Sequence, residues 1–251
     1  MGLKMEVLAK LRRVRSLVGS RAAWQRKPVA LSPDYDQQTV AVMERVLRPD
    51  SNGIDVGAFR GELLKHMVRL APLGAHLAFE PIPQFYDSLV KHFPTVQVFN
   101  LALSDAAGRS SFQYVGSNPA YSGLRRRRYD RPDERVEEIV VQTARLDDIV
   151  RQQRTVRFCK IDVEGGEFQV LKGAMETVRR DRPFIVFEFG MGGADWYGVQ
   201  PEDMYRLLAS CGLEVSLISD WLASRPCLGE REFAAEFREF RNYYFLAHPR
   251  S

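Results

Sequence analysis

Five times between residues 53 and 189 a short apolar run ends at a polar turn, and four of those ends carry an acid: Asp55, Glu80, Asp162 and Glu188. The runs are Gly53–Val56, His76–Glu80, Val96–Asn100, Val156–Asp162 and Phe184–Phe189, followed by Leu213–Ser219 and Tyr243–Ala247. Helical patterns fall among them at Gly61–Leu70, Pro83–His92, Gly166–Arg180 and Glu202–Cys211. Strands alternating with helices form βαβ units, because parallel neighbours need a crossover between them. The expectation is an α/β fold, a doubly wound and mostly parallel sheet, in a single domain over residues 31–251. Ligands of such sheets bind beyond the carboxyl ends of the strands, which is where all four acids fall.

Each end has its own chemistry. Asp55-Val56-Gly57-Ala58-Phe59-Arg60-Gly61 leads from a strand through a glycine turn into a helix, so the backbone can approach a ligand. An ordinary strand–turn–helix fits the same residues, and the dinucleotide pattern G-x-G-x-x-G is absent. Glu80 ends the second strand, where a carboxylate can accept from both ribose hydroxyls of an adenosine ligand. Pro81 and Pro83 stop that strand sharply and fix where Glu80 points. Asn100, Leu101 and Ala102 close the third strand, the one that passes an adenine ring in this topology. The fourth ends in Asp162, Glu164 and Glu167 around Gly165-Gly166. Acids clustered at one strand end repel one another, so stability alone explains them poorly.

Hydrophobic residues are 45% and charged residues 27% of the 251, the composition of a globular protein with a sizeable core rather than a disordered chain. No apolar run approaches the ~18 residues of a spanning helix. Lys4, Lys10, Arg12, Arg13 and Arg15 interrupt any signal-peptide core, and Glu6 stands where a myristoylation signal wants Ser or Thr. Cys159, Cys211 and Cys227 are odd in number and form no C-x-x-C pair, so neither a disulfide framework nor a zinc site is expected, and a cytoplasmic setting is. The net charge of +4 hides a division: residues 1–30 carry +7 and the remainder −3. Residues 3–18 place Leu and Val at a helical period with Lys and Arg between them. This basic amphipathic extension suits packing on the domain, a second copy of the chain, a membrane surface or RNA. An acidic body gives no reason to expect DNA as a partner.

Asp55-Val56-Gly57-Ala58-x-x-Gly61, Ala78-Phe79-Glu80-Pro81-x-Pro83, Asn100-x-Ala102-Leu103-Ser104-Asp105-x-x-Gly108 and Lys160-Ile161-Asp162-Val163-Glu164-Gly165-x-Glu167 follow one another in this order. Together with the strand ending at Glu188 they resemble the FkbM family of S-adenosylmethionine-dependent methyltransferases, over about residues 52–188. One departure is Phe59, where the family commonly has Asn; a polar side chain near the cofactor is thereby lost. The resemblance implies a Rossmann-like class I methyltransferase fold with seven strands, the last antiparallel, and O-methylation of a sugar, glycolipid or polyketide-type natural product. It implies a cofactor site of Asp55, Gly57, Ala58, Gly61, Glu80, Asn100, Ala102 and Asp162.

Methyl transfer to an alcohol needs alignment and a base for the hydroxyl proton. His66 and His92 lie in helical patterns, His76 opens a strand at its far end, and His248 is near the terminus. Asp162 and then Glu188 are the candidate catalytic bases. Glu164 and Glu167 either anchor the turn or face the acceptor. Asp162 with Glu164 or Glu188 would also suit Mg²⁺, although a metal-free site is the first expectation. Between the third and fourth core strands, residues 108–148 form an inserted cap or mobile loop around Arg125–Arg128 and Arg131. Tyr121, Arg125 and Arg126 are its candidate acceptor contacts, against the alternative of a solvated loop neutralised by its own acids. An RNA methyltransferase and a non-catalytic binding protein of the same fold are the rival functions. The first lacks an N/D-P-P-Y/F motif, and the second leaves the four crevice acids without a task.

Overall fold

The computed structural model describes residues 34–129, 131, 133–150 and 155–250. The amphipathic pattern at 3–18 lies outside them. Ten strands follow in chain order: β1 Asn52–Val56, β2 Leu77–Phe79, β3 Gln97–Phe99, β4 Ala102–Leu103, β5 Gly108–Val115, β6 Val136–Ala144, β7 Val156–Ile161, β8 Phe184–Glu188, β9 Leu213–Leu217 and β10 Tyr244–Pro249. Seven of them form one sheet in the order β3-β2-β1-β7-β8-β10-β9. The first five of these are parallel, and β10 is antiparallel to both β8 and β9. This is the class I methyltransferase arrangement. Among the described residues no helix is long and apolar enough to cross a membrane.

Side chains alternate across each strand, so each face of the sheet buries its own set. Ile54, Val56, Phe79, Ile161, Ile185 and Phe187 pack on one face against Val170, Leu171 and Phe233. Ala78, Phe158, Val186 and Leu246 pack on the other against Met43, Leu64 and Met67. Phe158 and Phe187 have no exposed surface. Truncating either to alanine costs about 3–5 kcal/mol in such a setting.

The helical pattern at 166–180 is broken in the structure into Glu167–Lys172 and Met175–Asp181. The second helix starts afresh because the Asp147 carboxylate accepts from the N–H groups of Glu176 (3.0 Å) and Thr177 (2.9 Å), as an N-cap would. Within the stretch 108–148 the strand-like patterns at Ser111–Tyr114 and Ile139–Thr143 fall inside the longer strands β5 and β6. β5 and β6 pair in antiparallel register from Gly108↔Thr143 to Val115↔Val136, and β4 adds a parallel edge. The arginine run sits between them, pinned by the Arg128 N–H on the Gly192 carbonyl (3.2 Å).

Candidate active site

Beyond the carboxyl ends of β1, β2 and β7 lies a cavity of about 340 Å³, within the range of small-molecule sites. Asp55, Gly57, Ala58, Glu80, Ala102, Asp162 and Glu164 line it. Phe112, Pro119, Ser122 and Leu124, all from the β5–β6 stretch, form a facing wall. Gly57 adopts φ +76°, and a Cβ there would meet the Asp162 carbonyl at 2.0 Å, so only glycine lets this turn run against β7. Gly61 has a different task. A Cβ on it would meet the Phe93 ring at 2.5 Å, so it serves helix packing and does not line the cavity.

Glu80 is buried. One of its carboxylate oxygens accepts from the Phe59 N–H (2.9 Å) and the other from the Ile82 N–H (2.8 Å). Burial nevertheless pushes its carboxyl up to about 7, against the pull of those two donors. Asn100 is exposed and does not line the cavity; its amide donates to the carbonyls of Glu80 (3.0 Å) and Pro81 (3.1 Å) and so holds the turn that aims Glu80. Phe59 takes φ +49°, a conformation that asparagine adopts more easily, and packs its ring 4.5 Å from that of Phe85.

Lys160 organises the acids of β1 and β7. Asp55 and Lys160 are register partners, and the buried ammonium lies 3.6 Å from Asp55 Oδ1 and 3.5 Å from Asp162 Oδ2 while donating to the Gly57 carbonyl at 2.8 Å. Burial alone would lower the lysine's pKa; Asp162 and Asp55 hold it above its usual value. Asp55 is raised by burial in spite of the lysine, and its Oδ1 is buried without a hydrogen-bond partner.

Asp162 is the meeting point. The Tyr244 hydroxyl donates to its Oδ2 (2.8 Å), and one of its oxygens lies within 4.8 Å of a Glu188 oxygen. Two ionised carboxylates this close repel each other. Burial, then the charges of Asp162 and Glu167, hold Glu188 well above the usual carboxylate range. Burial also pushes Asp162 upward, but Lys160 and Tyr244 together keep it below its ordinary value and ionised. Glu167 has no exposed surface, and its Oε1 accepts from the N–H groups of Val163 (2.9 Å) and Gly165 (3.1 Å), which makes it the anchor of the turn. Glu164 pairs with Arg127, a residue the sequence did not separate from its neighbours. The Arg127 guanidinium lies 5.0 Å from the centre of the Tyr121 ring. Arg125 and Arg126 are exposed, Arg125 lying over Tyr197 at 5.1 Å. No sequence signal marked Tyr244, because only the antiparallel course of β10 brings its first residue beside Glu188.

Residues 55–215 match the model of the methyltransferase FkbM domain. Methyltransferase sdnD of Sordaria araneosa is 30% identical over a 155-residue alignment that covers 49% of this chain and 60% of that protein. This chain therefore spans less than two thirds of that relative's length. The 2-O-methyltransferase NoeI of Sinorhizobium fredii is 28% identical over 185 residues, 65% of this chain and 72% of its own length. The solved structure of methyltransferase FkbM from Methylobacillus flagellatus KT superposes with a TM-score of 0.49 at 14% identity, covering 80% of this chain and 44% of that one. With 55–215 matched, well over half its residues, the chain belongs to the FkbM methyltransferase domain family.

Proposed function

We propose that the protein transfers a methyl group from S-adenosylmethionine to a hydroxyl of a small-molecule or glycan acceptor, in the class of sugars, glycolipids and polyketide-type natural products. The observation that carries this reading is a single cavity lined by both Glu80 and Asp162. O-methylation is supported by the similarity to a 2-O-methyltransferase.

The residues fit the cofactor. Glu80 retains lone pairs beyond those given to Phe59 and Ile82, as two ribose hydroxyls require. The Asp55–Ala58 turn offers a side-chain-free approach at Gly57 for the amino-acid portion, beside the Asp55 carboxylate that Lys160 holds, with Ala102 on the adenine side. When bound, the cofactor supplies an electrophilic methyl group. Asp162 orients the acceptor hydroxyl and takes its proton, and the Tyr244 hydroxyl fixes the aspartate's position by a hydrogen bond. Arg127 and Tyr121 present a cation and a ring face from the β5–β6 side, which we assign to the acceptor.

A metal-assisted version would place Mg²⁺ on Asp162, Glu164 and Glu188, whose ligand oxygens lie within 4.8 Å of one another. The metal-free version is favoured because Arg127 already neutralises Glu164. Turnover that survives EDTA supports it; turnover abolished by EDTA and restored by Mg²⁺ overturns it.

Calorimetry should find S-adenosylmethionine bound near micromolar Kd, about −8 kcal/mol. Glu80→Ala should weaken this by roughly 1–3 kcal/mol, since two hydroxyl donors lose their acceptor. No binding by the unmodified protein would sink the methyltransferase reading, whereas equal binding by the variant would sink only the role of Glu80. Binding without turnover on a panel of glycans, glycolipids and cell extract would return the non-catalytic alternative. For the acceptor side, Arg127→Ala should raise acceptor KM about tenfold and leave cofactor affinity within about twofold. Loss of cofactor binding with an unchanged CD spectrum would move Arg127 to the cofactor pocket.

A further inference from the structure

β10 carries two polar clusters at its two ends. Tyr244 pairs in register with Glu188 at the crevice, and His248, four residues on, pairs with Glu214 of β9. At about 3.4 Å per residue this puts His248 some 13 Å away, beside the starts of the parallel strands. Its ring centre lies 6.5 Å from that of Phe184 and 6.1 Å from that of Trp221. There Cys227 Sγ stands 3.4 Å from Glu214 Oε2 and 3.7 Å from His248 Nε2, and the three ligand atoms all fall within 4.8 Å of one another. Nothing in the proposed methyl-transfer site uses any of them.

The histidine is set as a ligand. Its Nδ1 lies 3.0 Å from the Pro249 carbonyl, which can only accept, so Nδ1 carries the proton. In the neutral ring Nε2 then directs its lone pair at the thiol and at the Ser216 hydroxyl, 3.0 Å away. Anchoring one ring nitrogen on a carbonyl to orient the other is how metal-binding histidines are held. The spacing agrees as well. A tetrahedral ion with a metal–sulfur bond of about 2.3 Å and metal–nitrogen or metal–oxygen bonds of about 2.0–2.1 Å has ligand–ligand edges of about 3.5 Å. The Cys227–Glu214 and Cys227–His248 separations, 3.4 and 3.7 Å, bracket that value. A thiolate and a carboxylate together balance a divalent charge. His248 is buried while Cys227 and Glu214 are half-buried, so the cluster is preformed on its inner side and open to solvent on the other. Arg250 approaches the remaining Glu214 oxygen, Oε1, at 3.9 Å and leaves Oε2 to the thiol. The Leu228 N–H on the Val215 carbonyl (2.8 Å) holds the cysteine's segment against β9.

We propose that Glu214, Cys227 and His248 form a binding site for a zinc-class divalent transition metal, with water as the fourth ligand. On binding, the Cys227 thiol releases its proton to solvent and the Ser216 hydroxyl turns away from Nε2. The bound ion fastens edge strand β9 and the segment before residue 229 to β10, a structural role distant from the crevice.

The test uses the full chain after EDTA treatment and dialysis, titrated with Co²⁺ and then Zn²⁺. One cobalt per chain should bind with a thiolate-to-cobalt charge-transfer band and tetrahedral d–d bands, and zinc should bleach both. Cys227→Ser should lose the charge-transfer band, Glu214→Gln should weaken cobalt about tenfold or more, and Cys211→Ser should retain the full spectrum. Zinc should raise the Tm of the unmodified chain by about 5 °C or more and that of Cys227→Ser by far less. A hard ion on Asp162, Glu164 and Glu188 would give no sulfur band, so the two acid-containing clusters are told apart. Absence of the band in the unmodified chain, or its survival in Cys227→Ser, overturns the site and leaves a hydrogen-bonded Cys–His–Glu cluster.

Discussion

Lys160→Met is expected to cost the folded protein about 3–5 kcal/mol, read from urea unfolding at neutral pH. Methionine matches the length of the lysine stem and would pack in its place, a gain of no more than about 1–2 kcal/mol. Against this, the substitution removes the cation lying between Asp55 and Asp162 and the donor on the Gly57 carbonyl. Asp55 has essentially no exposed surface and already lies above its usual pKa with the lysine present, so without it the aspartate must protonate or strain the turn. The electrostatic loss therefore wins. The double variant Lys160→Met with Asp55→Leu removes both charges of the cross-strand pair and should recover a large part of the loss, because replacing both members of a buried pair is far milder than breaking it. A single variant within 1 kcal/mol of the parent would show that the ammonium is solvated locally and does not organise the crevice.

The same network shows how far the residues speak for themselves. Strand ends were legible because an apolar run ending in an acid and a glycine or proline is a local pattern, and β1, β2, β7 and β8 lie where it predicts. The cavity-lining positions Asp55, Gly57, Ala58, Glu80, Ala102, Asp162 and Glu164 were legible for the same reason, since each sits within three residues of a strand end. What escaped depends on distance in space. Tyr244 reaches Asp162 from 82 residues away, through a strand order that no local pattern encodes. Arg127 cannot be told from Arg125 or Arg126 by composition; the register of the β5–β6 ladder and the anchor at Arg128 decide which guanidinium turns inward. Helices at Tyr35–Val46 and Glu230–Arg238 were passed over because polar residues fill most of their turns, while tertiary packing of Val42 and Met43, and of Phe233 and Phe237, fixes them. Asn100 and Gly61 lie within two residues of cavity-lining positions without lining the cavity; one holds a turn and the other abuts a ring.

Asp162→Asn should lower kcat by about 10²-fold or more while S-adenosylmethionine affinity stays within about threefold. The Asp162 and Glu188 carboxylates, at the ends of the neighbouring strands β7 and β8, are not equivalent, and that makes the prediction sharp. Asp162 is ionised and lines the cavity, so the amide variant keeps its size and can still accept from Tyr244 but has lost the basic oxygen. Burial and the charges of Asp162 and Glu167 hold Glu188 well above the usual carboxylate range, so Glu188→Gln, an uncharged side chain of the same shape, disturbs that position little. It should therefore stay within about fivefold of the parent in kcat. Tyr244→Phe belongs between the two, because it removes one of the hydrogen bonds that position Asp162 and hold it ionised, so its pH–rate profile should move upward at the basic group's limb while its saturating rate falls less. If Glu188→Gln is as inactive as Asp162→Asn, the proton is shared in the reacting state and the base is the pair. If Asp162→Asn turns over normally at saturating acceptor, neither acid takes the hydroxyl proton, and the buried carboxylates serve the fold of the crevice alone.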